Sequence, residues 1–127
     1  MANTESLKLS IIVPVYNEEK TILTVLQKLH ELKKQHQNIQ IVVINDGSKD
    51  NSLDILEKNK FLFDTFISYA ENKGKGNAVK KGLENADGDY VTFQDADLEY
   101  DPSDFKKFLN LINKFSPDLI IGSRFNY

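Results

Sequence analysis

Two stretches decide the fold: Leu9-Ser10-Ile11-Ile12-Val13-Pro14-Val15 and Ile39-Gln40-Ile41-Val42-Val43-Ile44. Both are strand-length, rich in β-branched residues and nearly continuous in hydrophobicity. A strand with one wet face alternates apolar and polar residues, whereas one covered on both faces does not, so these runs point to a parallel sheet between helix layers. Three shorter runs continue the series at Thr65–Tyr69, Tyr90–Phe93 and Leu119–Ile121. Between the runs lie helical patterns. Ile22, Leu23, Val25, Leu26, Leu29 and Leu32 recur at three- and four-residue spacing, and Asn17 ahead of Glu18 and Glu19 reads as the cap of that helix. Asp101 before Pro102 caps a second helix, whose Phe105, Phe108, Leu109 and Ile112 share a face. Shorter helices are expected after Asp50 and Gly76, with Gly82 lowering helix propensity in the latter. The order is β-α-β-α-β-α-β-α-β. With right-handed crossovers it implies an α/β, doubly wound, mostly parallel sheet with helices on both faces.

Composition narrows the class. The 127 residues are 40% apolar and 28% charged, with 16 Lys+Arg against 19 Asp+Glu. That is a single domain with one core, 1–127, and neither collagen, coiled coil nor a disordered tail. Cys is absent, which excludes a disulfide scaffold and a thiolate metal site and accords with a reducing, cytoplasmic setting. The net charge of -3 gives no reason to expect nucleic acid, although Lys73, Lys75, Lys80 and Lys81 form a local cationic run.

In open α/β sheets ligands bind beyond the carboxyl ends of the strands. The unusual polar residues fall there: Pro14-Val15-Tyr16-Asn17-Glu18 after the first run, Asn45-Asp46-Gly47-Ser48 after the second, Asp95-Ala96-Asp97-Leu98-Glu99 after the fourth, and Gly122-Ser123-Arg124 after the fifth. In extended geometry Asp95 and Asp97 point the same way, with Glu99 in the same parity. They suit one hard divalent cation, or read as a solvated turn before Asp101. Asp46-Gly47-Ser48 reads as a strand-to-helix turn, with Gly47 at positive φ and Ser48 capping. Equally, Asp46 reads as a carboxylate that accepts a hydrogen bond from a nucleobase. Pro14 and Tyr16 offer a flat wall for a base, with Tyr16 as a core residue the alternative. Asn72-Lys73-Gly74-Lys75-Gly76-Asn77-Ala78 is a glycine-lysine loop opening a helix, suited to phosphate but lacking the Walker and dinucleotide spacings. Arg124 is a candidate phosphate contact or partner of Asp95. His30 and His36 sit among polar residues, and no Ser-His-Asp or Cys-His set exists for nucleophilic catalysis.

Taken in order, Ser10-Ile11-Ile12-Val13-Pro14-Val15-Tyr16-Asn17-Glu18, Val43-Ile44-Asn45-Asp46-Gly47-Ser48-Lys49-Asp50, Asn72 to Ala78, Gly88-Asp89-Tyr90 and Asp95-Ala96-Asp97-Leu98 resemble the family 2 glycosyltransferases of GT-A fold. The nearest branch is the dolichyl- or polyprenyl-phosphate mannose or glucose synthases. The resemblance implies that Pro14, Tyr16, Glu18 and Asp46 hold the base and ribose of a nucleotide sugar, a GDP- or UDP-hexose. It implies that Asp97 and Asp95 are the catalytic acids, Asp97 the more direct ligand of Mg2+ or Mn2+ and Asp95 with Ala96 nearer the ribose or sugar. Glu99 stands where the synthases often carry Gln and still offers the metal an oxygen. Arg124 would approach the donor phosphates, and Lys75 matches a basic position of the nucleotide-sugar-binding loop. Asn45 departs from the commoner Asp-Asp pair, so the base role passes to Asp46 alone. The implied reaction is inverting hexosyl transfer to a lipid-phosphate or glycan acceptor, with association at the cytoplasmic membrane face and, through an unfinished sheet edge, with a second copy. In the family the acceptor-binding part follows the Gly-Ser-Arg element. The chain therefore reads as the donor-binding part, apparently truncated, with weak or absent transferase activity expected of it alone. A nucleotidyltransferase-like enzyme and a non-catalytic nucleotide-binding module are the competing classes.

Overall fold

The computed structural model of the chain describes residues 7–36 and 38–96. The helix expected after Asp101, the strand Leu119–Ile121, and Asp97, Glu99 and Arg124 lie outside the described residues. Within them, strands β1 (Leu9–Val15), β2 (Ile39–Asp46), β3 (Thr65–Tyr69) and β4 (Tyr90–Phe93) alternate with helices α1 (Ile22–Gln35), α2 (Ser52–Lys58) and α3 (Lys75–Asn85). A short 3-10 turn, Lys60–Leu62, leads from α2 towards β3. Every pairing is parallel and the order is β3-β2-β1-β4. The chain builds outward from β1 through β2 to β3, then crosses back to lay β4 on the other side of β1. The carboxyl ends of β1 and β4 thus flank the point where strand order reverses, where ligands gather in this architecture.

Side-chain parity explains the continuous apolar runs. Leu9, Ile11, Val13 and Val15 of β1, with Ile39, Ile41 and Val43 of β2, pack into one cluster with Ile22, Val25, Leu26, Leu29 and Leu32 of α1 and Leu56 of α2. The intervening Ile12, Val42 and Ile44 join Ala78 of α3 in a second cluster, flanked by Ile67, Val91 and Phe93. Strands β1 and β2 therefore bury both faces, as inferred from their composition, whereas β3 and β4 are mostly half-buried. Helix α3 lies close on the sheet because of a missing side chain. A Cβ at Gly82 would stand 2.4 Å from Ile12 Cγ2 and 3.0 Å from Ile44 Cδ1. The residue that weakens the helix intrinsically is the one that lets it dock.

Two local expectations are corrected. Asn17 does not cap α1. That helix starts at Ile22, and the backbone N–H groups of Thr21 and Ile22 both donate to Glu18 O (3.1 and 2.9 Å) in the turn before it. Asn17 instead adopts φ +52°. Ser48 does not cap α2, whose N-cap is Asn51 and whose first residue is Ser52.

At the amino end of the sheet, a polar knot that the sequence analysis did not single out fastens the α3–β4 connection. Ser10 Oγ donates to Gln40 Oε1 (2.6 Å), and Gln40 Nε2 donates to Asn85 O (3.1 Å) and Thr65 Oγ1 (3.2 Å). The N–H groups of Asp87 and Gly88 donate to Gln40 Oε1 and Ser10 Oγ, both at 2.9 Å. Ser10 and Gln40 are buried, so each bond replaces water that the backbone no longer reaches.

Candidate functional site

Each loop on the carboxyl edge is tied to the next by a polar contact, and the ties close a circuit. The β1–α1 loop meets the β2–α2 loop through Asn17, whose N–H donates to Ser48 Oγ (3.0 Å) and whose Oδ1 accepts from Lys49 N (2.7 Å). The end of β2 meets the glycine-lysine arm through Asp46. That carboxylate, 3% exposed, accepts from Lys73 N (2.8 Å), Gly74 N (3.0 Å) and Asn72 Nδ2 (3.0 Å). Asp46 shares the parity of Ile44, hence the α3 face of the sheet, which is why its side chain reaches the segment entering α3. Three donors on one buried carboxylate replace much of its lost hydration.

The arm is seated on Gly47. At φ +64° this glycine turns the chain under Asn72, and a Cβ there would lie 2.3 Å from Asn72 N and 2.4 Å from Glu71 C. Both its conformation and the close backbone approach require Gly. Beyond the arm, Lys75, the first residue of α3, places its ammonium 2.6 Å from Asp95 Oδ1 at the end of β4. Thr21 Oγ1 then donates to Ala96 O, joining the end of β4 back to the start of α1.

Tyr16, Glu18, Asp46, Lys75 and Asp95 are thereby brought to one rim, with Pro14 half-buried beneath it at the end of β1 and Ala96 buried in the core cluster of β1 and α1. Tyr16 is 44% exposed, which excludes the core alternative. The Glu18 carboxylate lies 3.3 Å from Thr21 Oγ1, whose proton goes to Ala96 O, and the Glu18 N–H donates to Ser52 Oγ (2.9 Å). Asp95 has Lys75 as its cationic partner; Arg124, the partner anticipated from sequence, lies outside the described residues. Tyr69, opposite Asp46 in the ladder, was not anticipated at all. Burial raises its phenol above the usual range, a hydrogen bond to Asp46 adds to the rise, and Asn77, donating at 3.1 Å, opposes it.

Residues 10–127 match the family model for "Glycosyl transferase family 2". The chain belongs to that family. Among its relatives, the dolichyl-phosphate beta-glucosyltransferase of Saccharomyces cerevisiae is 33% identical over 139 residues, covering 94% of this chain and 42% of the relative. Among solved structures, S. aureus TarS 1-349 in complex with UDP-GlcNAc aligns with a TM-score of 0.73 at 30% identity, over 87% of this chain and 32% of that one. The mannosyltransferase PcManGT of Pyrobaculum calidifontis, in complex with GDP-Man and Mn2+, aligns at 0.63 and 27% identity over 76% and 30%. The chain spans half or less of the length of the curated relatives it matches. Its parallel sheet, with helices on both faces, is that of the GT-A glycosyltransferases.

The family-2 rim offers a cation only part of a ligand set within the described residues, where no three His, Cys, Asp or Glu side chains converge. Asp95 is the described member of the expected acidic set. Its side chain, 17% exposed, offers the hard oxygens a divalent ion takes, but it is paired with the Lys75 ammonium, a charge that such an ion would have to displace. No helix among the described residues is long and apolar enough to cross a membrane.

Proposed function

We propose that this family-2 chain is the donor-binding part of an inverting hexosyltransferase that takes sugar from a GDP- or UDP-hexose and delivers it to polyprenyl phosphate. The observation that carries the proposal is the closed circuit of loop contacts, which sets aromatic, acidic and cationic groups side by side at the switch point of the sheet. Pro14, Tyr16 and Glu18 line the nucleoside side, and Asp46, whose carboxylate is bound to the arm, would meet a base only by exchanging one of those bonds. Lys75, together with the amino end of α3, would face the diphosphate, where the ammonium and the positive end of the helix dipole favour an anion. By the family resemblance Arg124, which lies outside the described residues, would serve the same phosphates. Asp95 and Ala96 stand at the ribose and sugar, and Asp95, Asp97 and Glu99 would hold Mg2+ or Mn2+. A divalent ion there supplies Lewis-acid neutralisation of the diphosphate.

The charge logic follows. Transfer breaks the bond between the anomeric carbon and the donor phosphate oxygen and forms one to the acceptor oxygen on the opposite face. Negative charge gathers on the departing nucleoside diphosphate, and Lys75 is placed to stabilise it. A phosphate acceptor arrives already ionised, so no side chain must remove a proton; a sugar hydroxyl would need a general base. The named ligands of the two aligned structures, UDP-GlcNAc and GDP-Man with Mn2+, support the donor class, and the dolichyl-phosphate relative supports the lipid acceptor.

A thermal-shift panel tests this, because a ligand bound only by the native state raises its apparent stability. UDP or GDP with manganese is expected to stabilise the chain more than UTP or GTP, and Asp95→Ala to remove the manganese-dependent part. A larger shift with free triphosphates would favour the nucleotidyltransferase class. No shift with any nucleotide would reduce the chain to an interaction module.

A further inference from the structure

Tyr16 and Glu18 bracket Asn17, which is the one non-glycine at positive φ among the described residues. Asn tolerates this left-handed conformation better than most residues, but here its side chain is also used. Its Oδ1 accepts from Lys49 N (2.7 Å) and Asp50 N (3.3 Å) in the facing loop, while its own N–H donates to Ser48 Oγ (3.0 Å). The facing loop reciprocates. Asp50 Oδ2 accepts from Glu19 N (3.2 Å), Asp50 Oδ1 accepts from Ser52 N (2.9 Å), and Ser52 Oγ accepts from Glu18 N (2.9 Å). Burial pushes the Asp50 carboxyl upward, but the bonds from Ser52 and Glu19 outweigh it and leave its pKa below the ordinary range, in keeping with a carboxylate held in place as an acceptor. Each loop thus satisfies the other's backbone amides. At 44% exposure Tyr16 has limited packing to fix it, so its placement depends on the backbone next to it.

We propose that Asn17 and Asp50 are positioning residues for the donor. Neither touches it; the reciprocal lock they form sets the backbone on which Tyr16 and Glu18 are presented to the nucleoside half. The inference rests on the donor-binding reading above and adds residues to it.

Isothermal titration of UDP and of GDP, each with manganese, separates positioning from mere stability. The chains are wild type, Asn17→Gly, Asp50→Asn, Tyr16→Ala and the Tyr16→Ala/Asn17→Gly double variant, at a temperature where melting curves show each fully folded. Gly retains the left-handed conformation and removes only the side-chain bonds. Asn17→Gly and Asp50→Asn are expected to weaken the preferred nucleotide about five-fold or more. The double variant should lose less than the sum of the Tyr16→Ala and Asn17→Gly losses, because part of the lock's effect passes through Tyr16. Lowered melting temperatures with unchanged affinity would overturn the inference, as would losses that add in full to that of Tyr16→Ala. Should Asn17→Gly not fold, Asp50→Asn and its double variant with Tyr16→Ala decide by the same criteria. A wild type that binds neither nucleotide would overturn the donor reading and the lock together, whereas binding that the variants leave intact overturns the lock alone.

Discussion

Gly47→Ala should damage the rim well beyond its size. Two effects add. A Cβ in the left-handed region costs about 1–2 kcal/mol for any ordinary L residue. The same Cβ would stand 2.3 Å from Asn72 N, 2.4 Å from Glu71 C and 2.9 Å from Asn72 Cα, all backbone atoms that cannot rotate away. Restoring ordinary contact needs the arm to withdraw by about 1 Å. Lys73 N and Gly74 N lie 2.8 and 3.0 Å from the Asp46 carboxylate, so that withdrawal takes both beyond hydrogen-bonding range. Bonds to a charged acceptor contribute about 1.5–3 kcal/mol each, and with partial relaxation the total loss is about 3–5 kcal/mol. That is a large share of the stability of a typical domain. Urea unfolding at constant m-value measures it. Gly47→Asn separates the two effects, since Asn accepts the left-handed conformation but carries the same Cβ. It should remain nearly as unstable as Ala. Wild-type stability for Gly47→Asn, or a loss under about 1 kcal/mol for Gly47→Ala, would refute the role assigned to the close approach.

Three further outcomes are expected. Gly82→Ala should lower stability by about 1 kcal/mol in urea despite a helix-propensity gain of similar size, because its Cβ overpacks Ile12 and Ile44; net stabilisation contradicts the docking role. Gln40→Leu should cost about 2–4 kcal/mol by stranding Asn85 O, Asp87 N and the Ser10 hydroxyl, and speed amide exchange at Asp87, while nucleotide affinity in the folded protein stays unchanged, since the knot is at the opposite end of the sheet. Tyr69 has a raised pKa, so the native state favours the protonated phenol. The associated stability is fully present below the unfolded value of about 10 and is lost as pH rises through the folded one. Melting temperatures of wild type and Tyr69→Phe should therefore separate above about pH 10, with the wild type falling more steeply; parallel alkaline limbs would contradict the shift.

The strands and their parallel pairing were legible because burying both faces leaves no room for alternation, and Ile11-Ile12-Val13 or Ile41-Val42-Val43-Ile44 has no other economical explanation. The end of β2 was harder to see. Asn45 and Asp46 read as loop by polarity, yet both continue the strand, opposite Ser68 and Tyr69, with Asn45 Nδ2 donating to Ser68 Oγ (3.0 Å) and Asp46 held by the arm. Polarity ends a strand only where nothing distant supplies partners. Asn17 misled for the same reason. Its type and place before two glutamates fit a local cap, but its partners are in the next loop, and no local pattern announces a bond across 32 positions. Gln40 was hidden inside an apolar run, where one polar residue at an even position carries no periodic signal.

These misreadings share a cause that bears on the site itself. Helix stripes and strand alternation register apolar burial, which repeats along the chain, whereas the carboxyl rim is held by polar side chains bonded to the backbone of other loops. Asn17 holds the β2–α2 loop, Asp46 the arm, Lys75 the end of β4, and Thr21 the residue after Asp95. Because each tie fixes the platform for the next, the geometry of the rim belongs to the circuit and not to any one motif. A motif transplanted without its partners, such as Val15-Tyr16-Asn17-Glu18 without Ser48, Asp50 and Ser52, would keep its residue types and lose the backbone that aims them.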